Sequence, residues 1–225
     1  MENNFLSLIK TRRSVRAYKS EFVPSEALDA VLEAGTYAPT GGGHQSPTII
    51  AITDPKYRKE IAKLNAEVIG SNTDPYYGAP VVILVLADGS ASTFVEDGSC
   101  VLENMMLAAH ALGLGTVWVH REREIFDSES GKALLREWKL PETLRGVGAI
   151  ALGYPAQGSR PTAARKQIVI GNPLKLSPGF PPLHTGHATF TASGVPSSIV
   201  SAVIHNHSFT LAKFATLPPV AAVLR

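Results

Sequence analysis

The chain of 225 residues is short of several things, and each shortage excludes something. It holds one cysteine, Cys100, so neither an internal disulfide nor a multi-cysteine metal site can form. Cys100 falls in an apolar helical stretch, where a free cysteine reads as a small buried hydrophobe. Apolar runs such as Pro80 to Ala87 stay far below the ~20 residues of a membrane span. The N-terminus, MENNFLSLIK, carries an acid early and lacks a long apolar stretch ending in small residues. A signal peptide is therefore not expected, and the reading is cytoplasmic with no membrane partner. HExxH and GxSxG are absent, and His44, His110 and His120 lack ligand spacing, so no metal is expected. No Gly-Lys-Ser/Thr follows the glycine loop, and Gly113-Leu114-Gly115-Thr116-Val117-Trp118 lacks the third glycine of GxGxxG, which leaves P-loop and Rossmann sites unsupported.

What is present fits one globular domain with a core: 44% hydrophobic and 18% charged residues. The net charge of +2 divides unevenly. Residues 1–170 carry 18 basic against 19 acidic side chains, whereas residues 171–225 carry three basic side chains and no acid. A near-neutral body without a basic stripe and interleaved aromatics does not suit nucleic acid. The last 55 or so residues, rich in proline and serine and weak in periodicity, read as a disordered or non-native extension. Nothing in the preceding pattern of helices and strands is expected to await them. The domain reading is thus residues 1–170 followed by an atypical tail over 171–225.

Periodicity predicts helices over residues 4–11, from Pro24-Ser25 to Gly35, over 55–69, 95–112 and 131–138. Apolar runs over 48–53, 81–86, 115–120 and 147–153 predict strands. The run at 81–86 has no polar alternation, as in sheets covered on both faces. In the helix over 95–112 the apolar positions exceed one stripe, which predicts a central helix or one shared with a subunit interface. Together these give an α/β or α+β domain with a sheet packed between helices.

Three local features carry possible chemistry. Arg12, Arg13 and Arg16, with Ser14 between them, either grip a terminal phosphate through guanidinium forks or form a solvated basic turn. Thr40-Gly41-Gly42-Gly43 either lets backbone N–H groups approach a ligand or simply turns the chain. His120 ends a strand beside Arg121, where it is either a ligand contact or a polar strand end, and His110 reads as a helix-face residue.

In order along the chain, Arg12-Arg13-Ser14-Val15-Arg16, Ala38-Pro39-Thr40-Gly41-Gly42, Gly78-Ala79-Pro80 before a strand, Gly113 to Arg121 and Leu152-Gly153-Tyr154-Pro155 resemble the nitroreductase family over residues 5–170. The resemblance implies an α+β fold with a mixed, mostly antiparallel sheet between helices. It also implies an intertwined homodimer with FMN at the subunit interface. It assigns Arg12, Arg13, Ser14 and Arg16 to the flavin phosphate, with Arg165 and Lys166 reaching it from a later element. Pro39, Thr40 and Gly41 would meet flavin from the partner subunit, with Gln45 in the same loop. The backbone at His120 and Arg121 would lie near flavin N5, and Asn65 at the flavin's polar edge, although the loop after Asn65 runs longer than in many relatives. The loop also departs from the family at Gly43, where many relatives carry asparagine, and at Ser46-Pro47 after Gln45. A missing neutral hydrogen bond of that kind costs ~1 kcal/mol.

The function implied is transfer of hydride from NAD(P)H through flavin N5 to small acceptors such as nitroaromatics or quinones, in ping-pong order. The cofactor would carry the redox chemistry, so no residue is expected to be catalytic itself. The alternatives are an FMN storage or delivery protein without turnover, or another FMN chemistry of the same fold, such as dehalogenation or flavin cleavage.

Overall fold

The computed structural model describes residues 4–158, 161–166 and 222–224. The chain divides into two compact units, Met1–Pro161 with Leu217–Arg225, and Thr162–Thr216. Of the second unit only residues 162–166 are described, all exposed. Apart from Ala222–Leu224, the tail lies outside the described residues.

The first unit runs α1 (Asn4–Thr11), α2 (Ser25–Thr36), a 3₁₀ turn (Gly41–Gly43), β1 (Pro47–Ile52), α3 (Pro55–Val68), β2 (Val81–Asp88), α4 (Phe94–Ala111), β3 (Gly115–Val119), α5 (Glu122–Asp127), α6 (Glu129–Glu137), β4 (Leu144–Gly153) and β5 (Ala222–Leu224). The strands form one sheet in the order β3-β4-β2-β1-β5, with every pairing antiparallel. Pairing of β5 with β1, Ile49 opposite Leu224, differs from the reading that no edge awaits the tail. Three residues in a stretch without alternation give no strand signal of their own.

Side-chain alternation assigns the two faces of the sheet. Val81, Ile83, Val85 and Ala87 of β2 pack with α2 and α4, through Val31, Leu32, Val101, Leu102 and Met105. Val82, Leu84 and Leu86 pack with α3, α5 and α6, through Tyr57, Ile61, Phe126, Leu134 and Leu135. The result is three layers, α2/α4, sheet, and α3/α5/α6. The unbroken apolar run of β2 thus reflects cover on both faces, which an antiparallel sheet also achieves here.

Local chemistry sets the start of two helices. Asp54 caps α3 by accepting the Lys56 N–H at 2.7 Å, with Pro55 in the first turn. Ser128 caps α6 through the Gly131 N–H. Cys100, expected to be buried, is exposed. The buried positions of α4 are Asp97, Gly98, Val101, Leu102, Met105, Met106 and Ala109, and Cys100 points away from that stripe. No helix among the described residues is long and apolar enough to cross a membrane.

Candidate functional site

The cation cluster is laid along the free edge of the sheet. After α1 the chain pairs with β3: Ser14 forms a parallel bridge with Thr116, and the Val15 N–H donates to the Thr116 carbonyl at 2.9 Å. Tyr18 then bridges to Pro155, and its hydroxyl donates to the carbonyls of Val15 (2.8 Å) and Ala151 (3.0 Å). This covers an edge strand and brings Arg12 and Arg13 beside His110 at the start of β3.

Arg12 and Arg13 are half-buried, and Arg12 Nη1 and Arg13 Nε are buried without a hydrogen-bond partner among the described residues. Arg13 Nη1 donates to the Lys10 and Arg12 carbonyls, each at 2.7 Å. Buried unsatisfied donors are rare and costly. Two of them on adjacent guanidinium groups are what an anionic oxygen acceptor would complete. Arg16 is exposed and lies 5.9 Å from the centre of the Tyr77 ring. His110, read as a helix-face residue, instead reaches this end of the strand: its Nε2 lies 3.0 Å from Thr11 Oγ1. Burial, and then the charges of Arg12 and Arg13, hold its imidazole below the ordinary value.

At the other end of β3 the chain turns sharply. Arg121 is left-handed, with φ 89° and ψ 4°, a conformation costly for a residue with a Cβ. Behind it sits a wholly buried polar cluster of Asn65, Tyr76 and Glu122, each 0% exposed. Asn65 Oδ1 accepts from Arg121 Nε at 2.9 Å. Its Nδ2 lies 2.9 Å from the His120 carbonyl, 3.1 Å from Glu122 Oε1 and 3.3 Å from the Tyr76 hydroxyl. Arginine only donates, so the amide orientation follows from its partners. The structure therefore places Asn65 beneath the His120–Arg121 backbone. Tyr76 donates to Glu122 Oε1 at 2.9 Å, while Glu122 Oε2 has no partner among the described residues. Burial raises the Glu122 carboxyl from 4.5 to about 7, against the pull of Tyr76 and the other donors. Glycine at position 146 lets β4 run against this turn, since a Cβ there would collide with the Glu122 carbonyl.

The glycine loop lies elsewhere. It leads into β1, and β4 and β2 separate β1 from β3, a span of ~14 Å at ordinary strand spacing. Gly42 and Gly43 have φ of 60° and 72°, which explains glycine there. Asp97, near the start of α4, holds the loop by accepting from the Gly41 N–H (2.8 Å), Ser46 Oγ (2.8 Å) and Thr93 Oγ1 (3.2 Å). Burial alone would raise the Asp97 carboxyl; these donors, with His44 nearby, reverse that and hold it below its ordinary value. Thr40 Oγ1 accepts from the Gln45 N–H at 3.0 Å. The structure thus brings Arg12, Arg13, Ser14, His120 and Arg121 to one edge strand and leaves Thr40, Gly41 and Gln45 across the sheet. Arg165 and Lys166 are exposed in the second unit.

Sequence reasoning missed Asp97, Glu122 and Tyr76. Glu122 follows a strand end in a run of charges, and nothing local marks it as buried. Ser46, noted only as a departure, is the residue that ties the loop to Asp97.

A model of the Nitroreductase family matches residues 9–154. The chain belongs to the nitroreductase family. A Methanothermobacter thermautotrophicus protein, provisionally named NADH dehydrogenase/NAD(P)H nitroreductase, is 32% identical over 161 residues, 68% of this chain and 78% of its own length. A Bacillus subtilis FMN reductase [NAD(P)H] is 27% identical over 180 residues, covering 70% of this chain and 68% of that protein. The crystal structure of a Bacteroides fragilis nitroreductase with bound FMN superposes with a TM-score of 0.69 at 30% identity, over 76% of this chain and all of that one (100%). The antiparallel sheet between helix layers is thus the nitroreductase fold, as the resemblance implied. These relatives are thus named for NAD(P)H-dependent reduction, of nitro compounds in one case and of FMN in the other.

Proposed function

We propose that this chain binds FMN noncovalently and moves hydride from NAD(P)H to small acceptors, nitroaromatics or quinones, in ping-pong order. The observation that carries the reading is the pair of buried, unpartnered guanidinium N–H groups at one end of β3, with the fixed turn at His120–Arg121 at the other. Arg12 and Arg13, with Ser14 and Arg16 close in sequence, would hold the phosphate, the guanidinium forks giving charge-assisted hydrogen bonds to its oxygens. Thr116 and His120 are four residue steps apart along and just past extended β3, a span of ~13 Å, so the two ends would hold opposite parts of one elongated ligand. Bound FMN supplies the hydride chemistry. The backbone at His120 and Arg121 would orient its reacting edge, and Asn65 would support that backbone from below. Pro39, Thr40, Gly41 and Gln45 lie in the loop that leads into β1, three strands away from β3, and fit a flavin held by a second copy of the chain.

The surface supports a homodimer. Helix α1 buries no residue, and Leu6 (51%) and Ile9 (44%) are exposed on it. A helix of 8 residues is too short to persist in water without packing, so a partner surface is the natural cover. The test is the visible spectrum of purified protein before and after anaerobic NADH, then NADPH. Flavin bands that bleach establish a reductase. Bands that persist point to storage or delivery, and a protein that takes up no FMN refutes the reading.

A further inference from the structure

The long segment between α3 and β2 has a use. Asp74 folds it: its carboxylate accepts the Tyr76 N–H at 2.9 Å and the Gly78 N–H at 2.8 Å and pairs with Arg58 at 2.6 Å. Arg58 lies 5.2 Å from the centre of the Tyr76 ring and donates from Nε to the Ala79 carbonyl at 2.9 Å. The segment thereby drives Tyr76 into the core, with its hydroxyl against Glu122 and Asn65. An ordinary loop would not need an aromatic side chain at 0% exposure ending in a polar cluster.

Asn65 is the hub. It contacts the His120 carbonyl, the Arg121 side chain, Glu122 and Tyr76 at once. Its partners at 120, 121 and 122 are consecutive, so their relative orientation is fixed around the left-handed Arg121. A non-glycine residue persists in that conformation only where its surroundings over-determine it. We propose that Asn65, braced by Tyr76 and Glu122, is a positioning residue that keeps Arg121 left-handed and so sets the direction of the His120–Arg121 backbone toward the flavin. This inference rests on the FMN reading above. The cluster does not touch the phosphate end, so it governs rate and backbone order more than affinity.

The experiment compares wild type with Asn65→Leu, Arg121→Gly, the double variant and Tyr76→Phe. Glycine occupies the left-handed region without penalty, so it removes the need for the brace. FMN affinity is read by fluorescence titration, flavin reduction by anaerobic stopped flow, and amide exchange across residues 119–123 in FMN-free protein by mass spectrometry. Asn65→Leu should keep FMN affinity within about threefold, exchange faster at residues 119–123, and be reduced ~10 to 100-fold more slowly, the scale of a small misplacement at the reacting centre. The double variant should return to the rate of Arg121→Gly alone. Tyr76→Phe, which removes one hydroxyl from an otherwise intact cluster, should move both rate and exchange the same way by less, and it decides the matter if Asn65→Leu does not fold. Wild-type rate and exchange in Asn65→Leu, or in Tyr76→Phe where that variant decides, would overturn the proposal. So would a double variant as slow as Asn65→Leu. If wild type binds no FMN, the functional reading fails and this inference with it, an outcome distinct from FMN bound with an unchanged rate.

Discussion

The two ends of β3 are built on opposite plans. At the start of the strand, Arg12 and Arg13 bring cations to a covered edge and leave guanidinium N–H groups bare. At its end, Asn65, Tyr76 and Glu122 form a closed cluster in which nearly every polar atom has a partner. The first end leaves charged donors for a ligand to complete, whereas the second, apart from Glu122 Oε2, is partnered before any ligand arrives. An anion of high charge is held by groups that gain on its arrival, whereas a reacting edge is served by a backbone that cannot adjust. The difference sorts affinity to one end and rate to the other.

The largest effect expected from breaking the comparison is at the cation end. Arg12→Met with Arg13→Met keeps the apolar stems but removes two charged forks, each worth about 1.5–3 kcal/mol to a charged acceptor. FMN affinity should fall by about 4 kcal/mol, near a thousandfold, while the thermal midpoint of FMN-free protein moves much less, because the bonds lost there are only those of Arg13 Nη1 to the Lys10 and Arg12 carbonyls. Titration calorimetry or fluorescence quenching with FMN reads the first, and calorimetric unfolding the second. A large loss of stability with affinity intact would show that the arginines serve the fold.

That end was also the legible one. Three arginines within residues 12–16 stand out in the linear sequence, although spacing alone also fits a solvated basic turn. The main helices and strands β1 to β4 were equally legible, because their apolar periodicity matches the buried faces. Helix α5 was not foreseen, since Glu122-Arg123-Glu124 reads as polar loop until Ile125 and Phe126 are seen to pack. The Asn65–Tyr76–Glu122 cluster was out of reach for a different reason. Its members lie 11 and 46 residues apart and are of types that usually face water. Only the folding of the 70–80 segment by Asp74 brings them together. Asn65 drew attention by family resemblance, but its place beneath the backbone is a tertiary fact.

The next effect sharpens the contrast through pH. The Glu122 carboxyl titrates near 4.5 when unfolded and about 7 when folded, because burial favours its neutral form. Between those values the folded state holds a proton that the unfolded state has released, so stability falls as pH rises through that window. Below 4.5 the contribution is fully present, and above about 7 it is lost. The loss is about 3 kcal/mol at 1.36 kcal/mol per pH unit. His110, whose value is lowered, acts in the opposite sense as it loses its proton, so the comparison must be made between variants. In FMN-free protein, Glu122→Gln should flatten the wild-type decline between pH 5 and pH 7.5 in denaturant unfolding. A decline of the same slope in Glu122→Gln would assign the titration to another group.

The smallest effect concerns the glycine loop, which follows the closed plan at lower stakes. Ser46 Oγ donates to Asp97 Oδ2 at 2.8 Å, and Asp97 also accepts from Gly41 and Thr93. Ser46→Ala leaves the carboxylate with its other two donors, so it removes one hydrogen bond without stranding a bare charge. The expected cost is about 1 kcal/mol of stability, read from chemical unfolding of FMN-free protein. If the loop meets flavin from across a dimer, FMN affinity should fall by a further factor of a few, because Gly41 would be held less firmly. An equal drop in affinity and stability would mean that the loop only supports the fold. A drop in affinity beyond the stability loss, restored by Ser46→Thr with its hydroxyl in the same place, would tie this departure from the family pattern to cofactor binding.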